Sequence, residues 1–410
     1  MTRILCVTDW YLPAYKAGGP VRSVSNLIST LAGAEFEFYV LTRDRDLGES
    51  SPYADVPLEA WTTRGQARVL YTADHSLSNF RRHINEVKPD IIYLNSFFST
   101  FARKVLLLRR LHLIGSSVVV VAPRGELSPG ALQLKSPKKK FYIKVAAAIG
   151  LCRNLLWHAT AELEKKEIAS LLSEYHLEKG SGEEISGRIH VASNIPGGGS
   201  DVASKRSVEK KAGHVSFLFI SRISPKKNLA YALELLASVR GDVSFDICGP
   251  VDDPAYWRIC EAAMARLPAN VQVHYLGPIP HHEVQQKFSQ HHFFLFPTLS
   301  ENFGHAIAEA LSAGCPVVIS DATPWRDLER KNVGWDLPLE DRDLWLRVLQ
   351  QCIDFDDEAY RVMSAASESY FREWARSPSI IQENVELFRH AVAQSSRKPG
   401  LQHESPSTPG

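Results

Sequence analysis

Short apolar runs alternate with longer stretches of helical periodicity along most of the chain. This alternation is typical of parallel α/β domains. In the first half it predicts strands at residues 3–8, 36–42, 91–95, 118–122 and 189–192, and helices at 20–32, 76–87 and 100–113. The four consecutive valines at 118–121 indicate a strand that is buried on both faces.

The alternation is interrupted once, at residues 196–214, where glycines and charged residues predict a linker. It restarts with predicted strands at 215–220, 244–248, 271–276, 293–296 and 316–320, and a helix at 228–238. We therefore predict Rossmann-like domains at 1–195 and 215–366, a helical region at 367–393 that packs back towards the first domain, and a disordered tail at 394–410. Because ligands of such sheets bind at the carboxyl ends of the strands, the two sheets should face a common cleft.

Length and composition fit this organisation. The chain has 410 residues, enough for two or three domains, and its 44% hydrophobic and 23% charged residues exclude a wholly disordered or coiled-coil chain. The formal net charge of +1 gives no support for a nucleic-acid partner. The first 195 residues nevertheless carry 25 Lys and Arg against 19 Asp and Glu, which suggests that this half faces an anionic surface.

The cysteines and the apolar segments indicate where the protein works. The six cysteines lie far apart with no CxxC pair, the pattern of buried free thiols in a reducing compartment. The N-terminal apolar run is too short for a signal peptide, and no uncharged apolar stretch approaches the ~18 residues needed to span a bilayer. We expect a cytoplasmic protein, in solution or peripheral at the cytoplasmic face of the membrane.

The most informative segment is FFLFPTLSENFGHAIAEALSAGCPVVISD at 293–321. A buried strand is followed by a polar loop with Glu301 and by a helix that begins near Gly304 and contains Glu309. The amides of Phe303, Gly304 and His305 can bind one anionic group at that helix N-terminus, where the helix dipole adds about half a positive charge. The pattern predicts a phosphate site with two carboxylates nearby that accept hydrogen bonds from hydroxyl groups.

A second segment supplies the cations that such a site needs. The predicted strand at 215–220 is followed by SRISPKKN, which places Arg222 and Lys227 five residues apart across a turn. A guanidinium and an ammonium group together suit a diphosphate. By itself, this spacing would also fit charged side chains that are simply solvated. The Glu-rich loop at the carboxyl end of the later strand at 293–296 favours a diphosphate-binding site instead.

These two motifs resemble the donor-binding half of the retaining GT-B glycosyltransferases, glycosyltransferase family 4 (group 1). The similarity extends over nearly the whole chain: Gly18 and Gly19 resemble the N-terminal glycine loop, Ala161 to Glu164 the T-S-x-x-E region, and Asn194 the P-N-G turn. Residues 122–132, APRGELSPGAL, resemble a subgroup associated with polysaccharide assembly. The resemblance implies the GT-B fold, in which two Rossmann-like domains with parallel sheets face a central cleft.

The resemblance also implies a role for each matching residue. Arg222 and Lys227 bind the donor diphosphate and form the catalytic set with Glu301, which contacts the transferred sugar. Glu309 binds the ribose hydroxyls. The other donor-binding positions are Gly18, Gly19, Gly249, Phe303, Gly304 and His305.

Three residues are candidates for the acceptor side of the cleft. Arg124 and Glu126 follow the strand at 118–122, where they contact the acceptor or sugar, or else stabilise the loop as an ion pair. Many family members have a histidine where this chain has Asn95 at the end of the strand IIYLN. Asn95 can bind a sugar hydroxyl, but proton transfer through this position is not expected.

The mechanism implied is free of metal. Cleavage of a sugar–phosphate bond leaves negative charge on the departing diphosphate, which Arg222, Lys227 and the helix N-terminus stabilise. The resemblance implies retention, with the diphosphate itself as base. Three Asp-x-Asp sequences could bind a metal ion. The one at 44–46 follows a strand but has no cationic or glycine partner, and those at 341–343 and 354–356 flank a helix. No cofactor or metal site is therefore predicted.

A basic and aromatic segment between Lys135 and Lys144, KSPKKKFYIK, suits an anionic membrane surface. The alternative is a solvated helix whose apolar residues cover the domain core.

The predicted function is transfer of a sugar from a UDP- or GDP-sugar to a saccharide or lipid-linked saccharide acceptor in cell-surface polysaccharide biosynthesis. Two alternatives stay open: a nucleotide-sugar 2-epimerase of the same fold, and a non-catalytic assembly subunit.

Overall fold

The computed structural model describes residues 1–33, 35–128, 131–132, 136–178, 182–197 and 208–396. The first domain contains an eight-stranded sheet in the order β3-β4-β2-β1-β5-β6-β7-β8, parallel except for the β3–β4 hairpin. Its strands are β1 (Thr2–Val7), β2 (Phe36–Arg43), β3 (Trp61–Arg64), β4 (Ala67–Thr72), β5 (Ile91–Asn95), β6 (Val118–Ala122), β7 (Leu156–Ala159) and β8 (Ile189–Val191). Its helices are α1 (Gly19–Leu31), α2 (Leu77–Val87), α3 (Thr100–Arg110), α4 (Ser136–Ala148), α5 (Glu162–Glu174) and α6 (Gly182–Ser186).

The second domain contains a fully parallel six-stranded sheet in the order β11-β10-β9-β12-β13-β14. Its strands are β9 (His214–Ile220), β10 (Asp242–Cys248), β11 (Val271–Gly277), β12 (Phe293–Phe296), β13 (Val317–Ser320) and β14 (Gly334–Leu337). The helices that follow are α7 (Leu229–Leu236), α8 (Pro254–Met264), α9 (His281–Ser289), α10 (His305–Ser312), α11 (Arg342–Asp354), α12 (Asp357–Ala375) and α13 (Pro378–Ser396). The predicted pair of Rossmann-like domains is confirmed.

Sequence analysis missed four short strands, β3, β4, β7 and β14. β3 is a partly exposed edge strand, so it lacks the continuous apolar run of a central strand. β7 has four residues, LWHA, and one of them is the buried His158. A strand this short carries too few positions for a periodicity to stand out.

The last two helices belong to different domains. α12 packs in the core of the second domain through Tyr360, Met363 and Phe371. α13 crosses back and packs on the first sheet, where the Phe388 ring lies 5.7 Å from that of Phe36. The chain thus changes domain between Ala375 and Pro378, later than residue 367, where sequence analysis placed the change.

The structure describes the end of the predicted linker and the start of the predicted tail. Residues 208–214 lie against the second domain, where the Lys210 ammonium donates to the carbonyls of Ile353 (2.7 Å) and Phe355 (2.8 Å). Residues 394–396 continue α13. The rest of both predicted segments, 198–207 and 397–410, lies outside the described residues.

Candidate functional site between the two domains

A cavity of about 270 Å³ lies where the carboxyl ends of the two sheets meet. Its walls come from the loop after β1 and the start of α1 in the first domain, and from the loops after β9, β10, β11 and β12 in the second. Eleven predicted site residues line it: Gly18, Gly19, Arg124, Arg222, Lys227, Gly249, Glu301, Phe303, Gly304, His305 and Glu309. Asn95 and Glu126 are not among the residues that form its walls.

The N-terminus of α10 forms one end of the cavity. Gly304 precedes the helix with φ of 81°, a left-handed conformation that favours glycine, and a Cβ there would lie 2.7 Å from Ile307 Cδ1. The Trp325 indole N–H donates to the Phe303 carbonyl at 2.6 Å and holds the turn that enters the helix. Gly304, His305 and Ala306 at the start of α10 line the cavity, so the positive end of the helix dipole lies at this wall.

The predicted cations lie on the loop after β9 and differ in exposure. Lys227 ends a short 3₁₀ turn and forms an ion pair with Glu301, with only 14% and 13% of the two side chains exposed. Its ammonium group lies 5.4 Å from the centre of the Phe296 ring. Arg222 is 42% exposed and pairs with Asp252 at 3.3 Å. An anion in the cavity can thus recruit Arg222 from solvent and share Lys227 with Glu301.

Gly249 brings the loops after β9 and β10 together. A Cβ at Gly249 would lie 1.8 Å from the Ser221 carbonyl oxygen, and its φ is 140°. Only glycine fits there without moving the backbone next to Arg222. The residue type at this position therefore determines how closely the two loops approach beside the cavity.

Glu309 is held by a residue that sequence analysis missed. Arg22, on α1 of the first domain, forms an ion pair with Glu309 Oε1 across the cleft. Glu309 Oε2 is buried and has no hydrogen-bond partner in the described part of the chain. Burial lowers the pKa of Arg22 to about 10, so the guanidinium stays charged at neutral pH. Arg22 follows Gly19 by three residues, one helical turn, and this spacing is the signal that could have identified it.

The glycine loop contacts α10 directly. A Cβ at Gly19 would lie 3.2 Å from His305 Cδ2, and the Ser23 hydroxyl lies 2.9 Å from His305 Nε2. Burial, together with the nearby Arg22 charge, lowers the pKa of His305 to about 3. His305 is therefore neutral at physiological pH and can hydrogen-bond but cannot act as a cationic acid.

Asp46, which belongs to the Asp-x-Asp sequence at 44–46, supports the same loop. Its carboxylate accepts hydrogen bonds from the amides of Tyr15 (2.9 Å) and Lys16 (3.2 Å), just before Gly18. Asp44 pairs with Arg45 at 2.8 Å. Both carboxylates are thus engaged in organising loops of the first domain.

Arg124 lies at the base of the cleft in a buried polar network. Its guanidinium donates to Tyr93 Oη (2.6 Å), to Asn95 Oδ1 (3.0 Å) and to Asn194 Oδ1. Tyr93 in turn lies 2.8 Å from His158 Nδ1, and His158 Nε2 lies 2.7 Å from the Ala192 carbonyl. Arg124 lines the cavity. The Asn95 side chain already makes two hydrogen bonds, because its Oδ1 accepts from Arg124 and its Nδ2 donates to the Pro20 carbonyl at 3.2 Å.

Glu126 serves the loop rather than the cavity, so its predicted contact with a saccharide is not supported. Its carboxylate accepts hydrogen bonds from the Ser96 hydroxyl (2.8 Å) and from the amides of Phe97 (2.8 Å) and Phe98 (3.2 Å). Burial raises the pKa of Glu126. The loop-stabilising alternative therefore fits these contacts, although through hydrogen bonds and not through an ion pair with Arg124.

A second bridge across the cleft uses Asn302, another residue that sequence analysis missed. Its side-chain amide donates to Thr160 Oγ1 at 2.6 Å and to Glu164 Oε2 at 3.2 Å. Glu164, in the T-S-x-x-E-like region, also accepts from the Gly125 amide at 2.6 Å. The loop that carries Glu301 is thereby tied to the first domain.

The basic segment forms α4, although Lys135 lies outside the described residues. Ile143 is buried in the core, whereas Phe141 is 70% exposed, and Val145 and Ile149 are exposed beside it. Because Phe141 and Val145 are four residues apart, they share one side of the helix, and Ile149 follows directly after its end. Among the helices of the described ranges, none is long and apolar enough to cross a membrane.

Comparisons with known proteins agree with this geometry. Residues 202–367 match the model of the family described as Glycosyl transferases group 1. Sucrose-phosphate synthase from Thermosynechococcus elongatus superposes with a TM-score of 0.69 at 16% identity, covering 96% of this chain and 100% of that one. HepE from Anabaena, solved in complex with UDP-glucose, gives a TM-score of 0.65 at 16% identity with the same coverage. No curated protein matches the sequence.

A third structure, WaaG, a glycosyltransferase involved in lipopolysaccharide biosynthesis, gives a TM-score of 0.58 at 15% identity over 93% of this chain and 98% of its own. At these identities the structural similarities show the fold alone, and that fold is GT-B. The predicted resemblance to group 1 glycosyltransferases and the predicted GT-B fold are confirmed. Retention and membership of family 4 stay predictions.

Proposed function

We propose that this protein is a metal-independent retaining glycosyltransferase that transfers a sugar from a nucleoside diphosphate to a saccharide or lipid-linked saccharide. The observation that carries the proposal is the composition of the interdomain cavity. It combines two cations, a helix N-terminus and a carboxylate with a buried, unpartnered oxygen. Diphosphate binding needs the first two features, and a ribose hydroxyl satisfies the third.

In the proposed reaction, the bond between the anomeric carbon and the diphosphate oxygen breaks, and the acceptor oxygen forms a new bond to that carbon. Negative charge develops on the leaving diphosphate, where Lys227, Arg222 and the first amides of α10 stabilise it. The acceptor hydroxyl gives its proton to a diphosphate oxygen. Neutral His305 contributes a hydrogen bond and no proton. Glu301 binds the transferred sugar while it orients Lys227.

The acceptor would enter from the first domain, past Arg124 and the glycine loop. The exposed apolar residues of α4 and its lysines support an acceptor presented at an anionic membrane surface. The structure of HepE was solved with UDP-glucose, which supports a nucleotide-sugar donor. WaaG is involved in lipopolysaccharide biosynthesis, which supports a role in cell-surface polysaccharide assembly. We propose a cytoplasmic location because all six cysteines are free and buried, as is typical of a reducing compartment.

A thermal-shift panel of nucleoside diphosphates and their sugars tests the proposal. A ligand at one hundred times its dissociation constant stabilises the folded state by about 2.7 kcal/mol and raises Tm. We expect UDP, GDP or their sugars to raise Tm, and the matched nucleosides and free sugars to leave it unchanged. If no nucleoside diphosphate binds, the protein is a non-catalytic subunit and the proposal fails.

Turnover of the donor found in that panel separates the remaining alternatives. We expect release of nucleoside diphosphate to depend on a saccharide acceptor and to survive a chelator. Conversion of the donor to an epimer without acceptor would identify an epimerase instead. Complete loss of activity with chelator, restored by a divalent cation, would overturn the metal-independent mechanism.

A further inference from the structure

The ion pair between Arg22 and Glu309 joins the two domains at the cavity. Arg22 projects from α1 and Glu309 from α10, and the residues are 287 positions apart in the chain. The two side chains are 20% and 18% exposed, so solvent screens their interaction only weakly. Because the partners belong to different domains, the pair exists only while the cleft is closed.

The position of the pair connects it to ligand binding. Arg22 and Glu309 both line the donor cavity and also a second cavity of about 760 Å³ on the side of Pro196 and His281. The pair therefore lies at the junction of the two spaces. A ligand that fills the donor cavity must contact the pair or displace it.

The two carboxylate oxygens of Glu309 have different environments. Arg22 occupies Oε1, whereas Oε2 is buried without a hydrogen-bond partner among the described residues. A buried acceptor without a donor is unfavourable, and a hydroxyl group of a bound ligand removes that cost. Arg22 thus leaves one oxygen of Glu309 available to such a hydroxyl and prevents the carboxylate from rotating away.

The pair also has an electrostatic consequence. Burial disfavours the charged guanidinium, as the lowered pKa of Arg22 shows, so Arg22 in the closed cleft depends on its carboxylate partner. The neighbouring bridges are hydrogen bonds, from Ser23 to His305 (2.9 Å) and from Asn302 to Thr160 (2.6 Å). The ion pair adds a charge-dependent contact to these bridges between the domains.

We propose that Arg22 is a positioning residue that couples closure of the cleft to donor binding by holding Glu309 with one oxygen directed at the donor ribose. The inference rests on the proposed function, because the donor is a nucleoside diphosphate. Arg22 acts through Glu309 and not on the reacting atoms. Its removal should therefore raise the KM for the donor more than it lowers kcat at saturating donor.

The test compares Arg22→Gln, Arg22→Lys and Glu309→Gln with the unchanged protein. Calorimetry measures the Kd of the nucleoside diphosphate, and initial rates give donor KM and kcat. We expect Arg22→Gln to weaken binding by on the order of tenfold, the scale of one charged hydrogen bond, and Arg22→Lys to recover part of the loss. The double variant Arg22→Gln/Glu309→Gln should bind no more weakly than Glu309→Gln alone, because Arg22 acts only through Glu309.

Arg81→Gln, an exposed arginine on α2 of the same domain, is the matched control and should bind like the unchanged protein. Equal Kd for Arg22→Gln and the unchanged protein, or additive losses in the double variant, would refute the role of Arg22 while leaving the proposed function intact. Failure of the unchanged protein to bind any nucleoside diphosphate would refute both. If Arg22→Gln does not fold, absence of any binding difference between Arg22→Lys and the unchanged protein would refute the coupling.

Discussion

Replacing Lys227 with methionine tests the diphosphate site most directly. Methionine keeps an apolar stem near the Phe296 ring but removes the ammonium group that pairs with Glu301. The lost hydrogen bond to a charged phosphate oxygen corresponds to about 1.5–3 kcal/mol. At about 1.4 kcal/mol per factor of ten, the Kd of the nucleoside diphosphate should rise by on the order of 10- to 100-fold.

The unpaired Glu301 carboxylate adds to this effect, since it would face the diphosphate without a compensating cation. Lys227→Met/Glu301→Gln should therefore bind nucleoside diphosphate more tightly than Lys227→Met alone, although sugar transfer stays low in both. Because both side chains of the pair are mostly buried, Tm should also fall in the single variant and recover in part in the double variant.

Calorimetry measures the Kd of the nucleoside diphosphate for each variant, and thermal unfolding measures its Tm. Lys211→Met, an exposed lysine on the same domain, is the matched control. A Kd for Lys227→Met within twofold of the unchanged protein, in a sample that unfolds cooperatively, would refute the assignment of Lys227 to the diphosphate.

Three further outcomes follow from the structure. Glu309→Ala should weaken donor binding by on the order of tenfold or more by calorimetry, whereas Glu340→Ala on the exposed surface should not. Phe141→Ser and Lys144→Glu should each reduce co-sedimentation with phosphatidylserine vesicles without changing Tm, and unchanged sedimentation would exclude membrane contact through α4. Burial lowers the pKa of His158 to about 3, so below about pH 6.5 only the unfolded chain binds a proton at this residue. This histidine alone should lower the free energy of unfolding by about 2 kcal/mol between pH 7 and pH 5, and His158→Gln should reduce the measured fall by that amount in urea titrations.

Much of the local structure could be read from the sequence because it depends on nearby residues. The central strands β6 and β12 are continuous apolar runs, and their predicted bounds agree with the structure. Gly304 and the apolar face of α10 predicted the turn and the helix that follow β12. Buried cysteines were likewise expected, and all six are free and buried.

The proximity of the site residues in the second domain could be predicted from one topological rule. Parallel strands place their carboxyl ends at one edge of a sheet, so Lys227 after β9 and Glu301 after β12, adjacent strands, were expected to lie close together. The prediction did not include their ion pair, because the direction of a long side chain is decided by what packs around it.

The sequence by itself therefore determined the two α/β domains, the strand and helix periodicities and the residues that gather at the end of the second sheet. Only the tertiary structure decided that Arg22 meets Glu309, that Glu126 binds the loop at 96–98 instead of the cavity, and that the chain returns to the first sheet only after Ala375. The reason is that periodicity shows which face of a helix or strand is buried. Contacts across the cleft depend instead on how the two domains pack together, and that packing is decided jointly by residues that are distant in sequence.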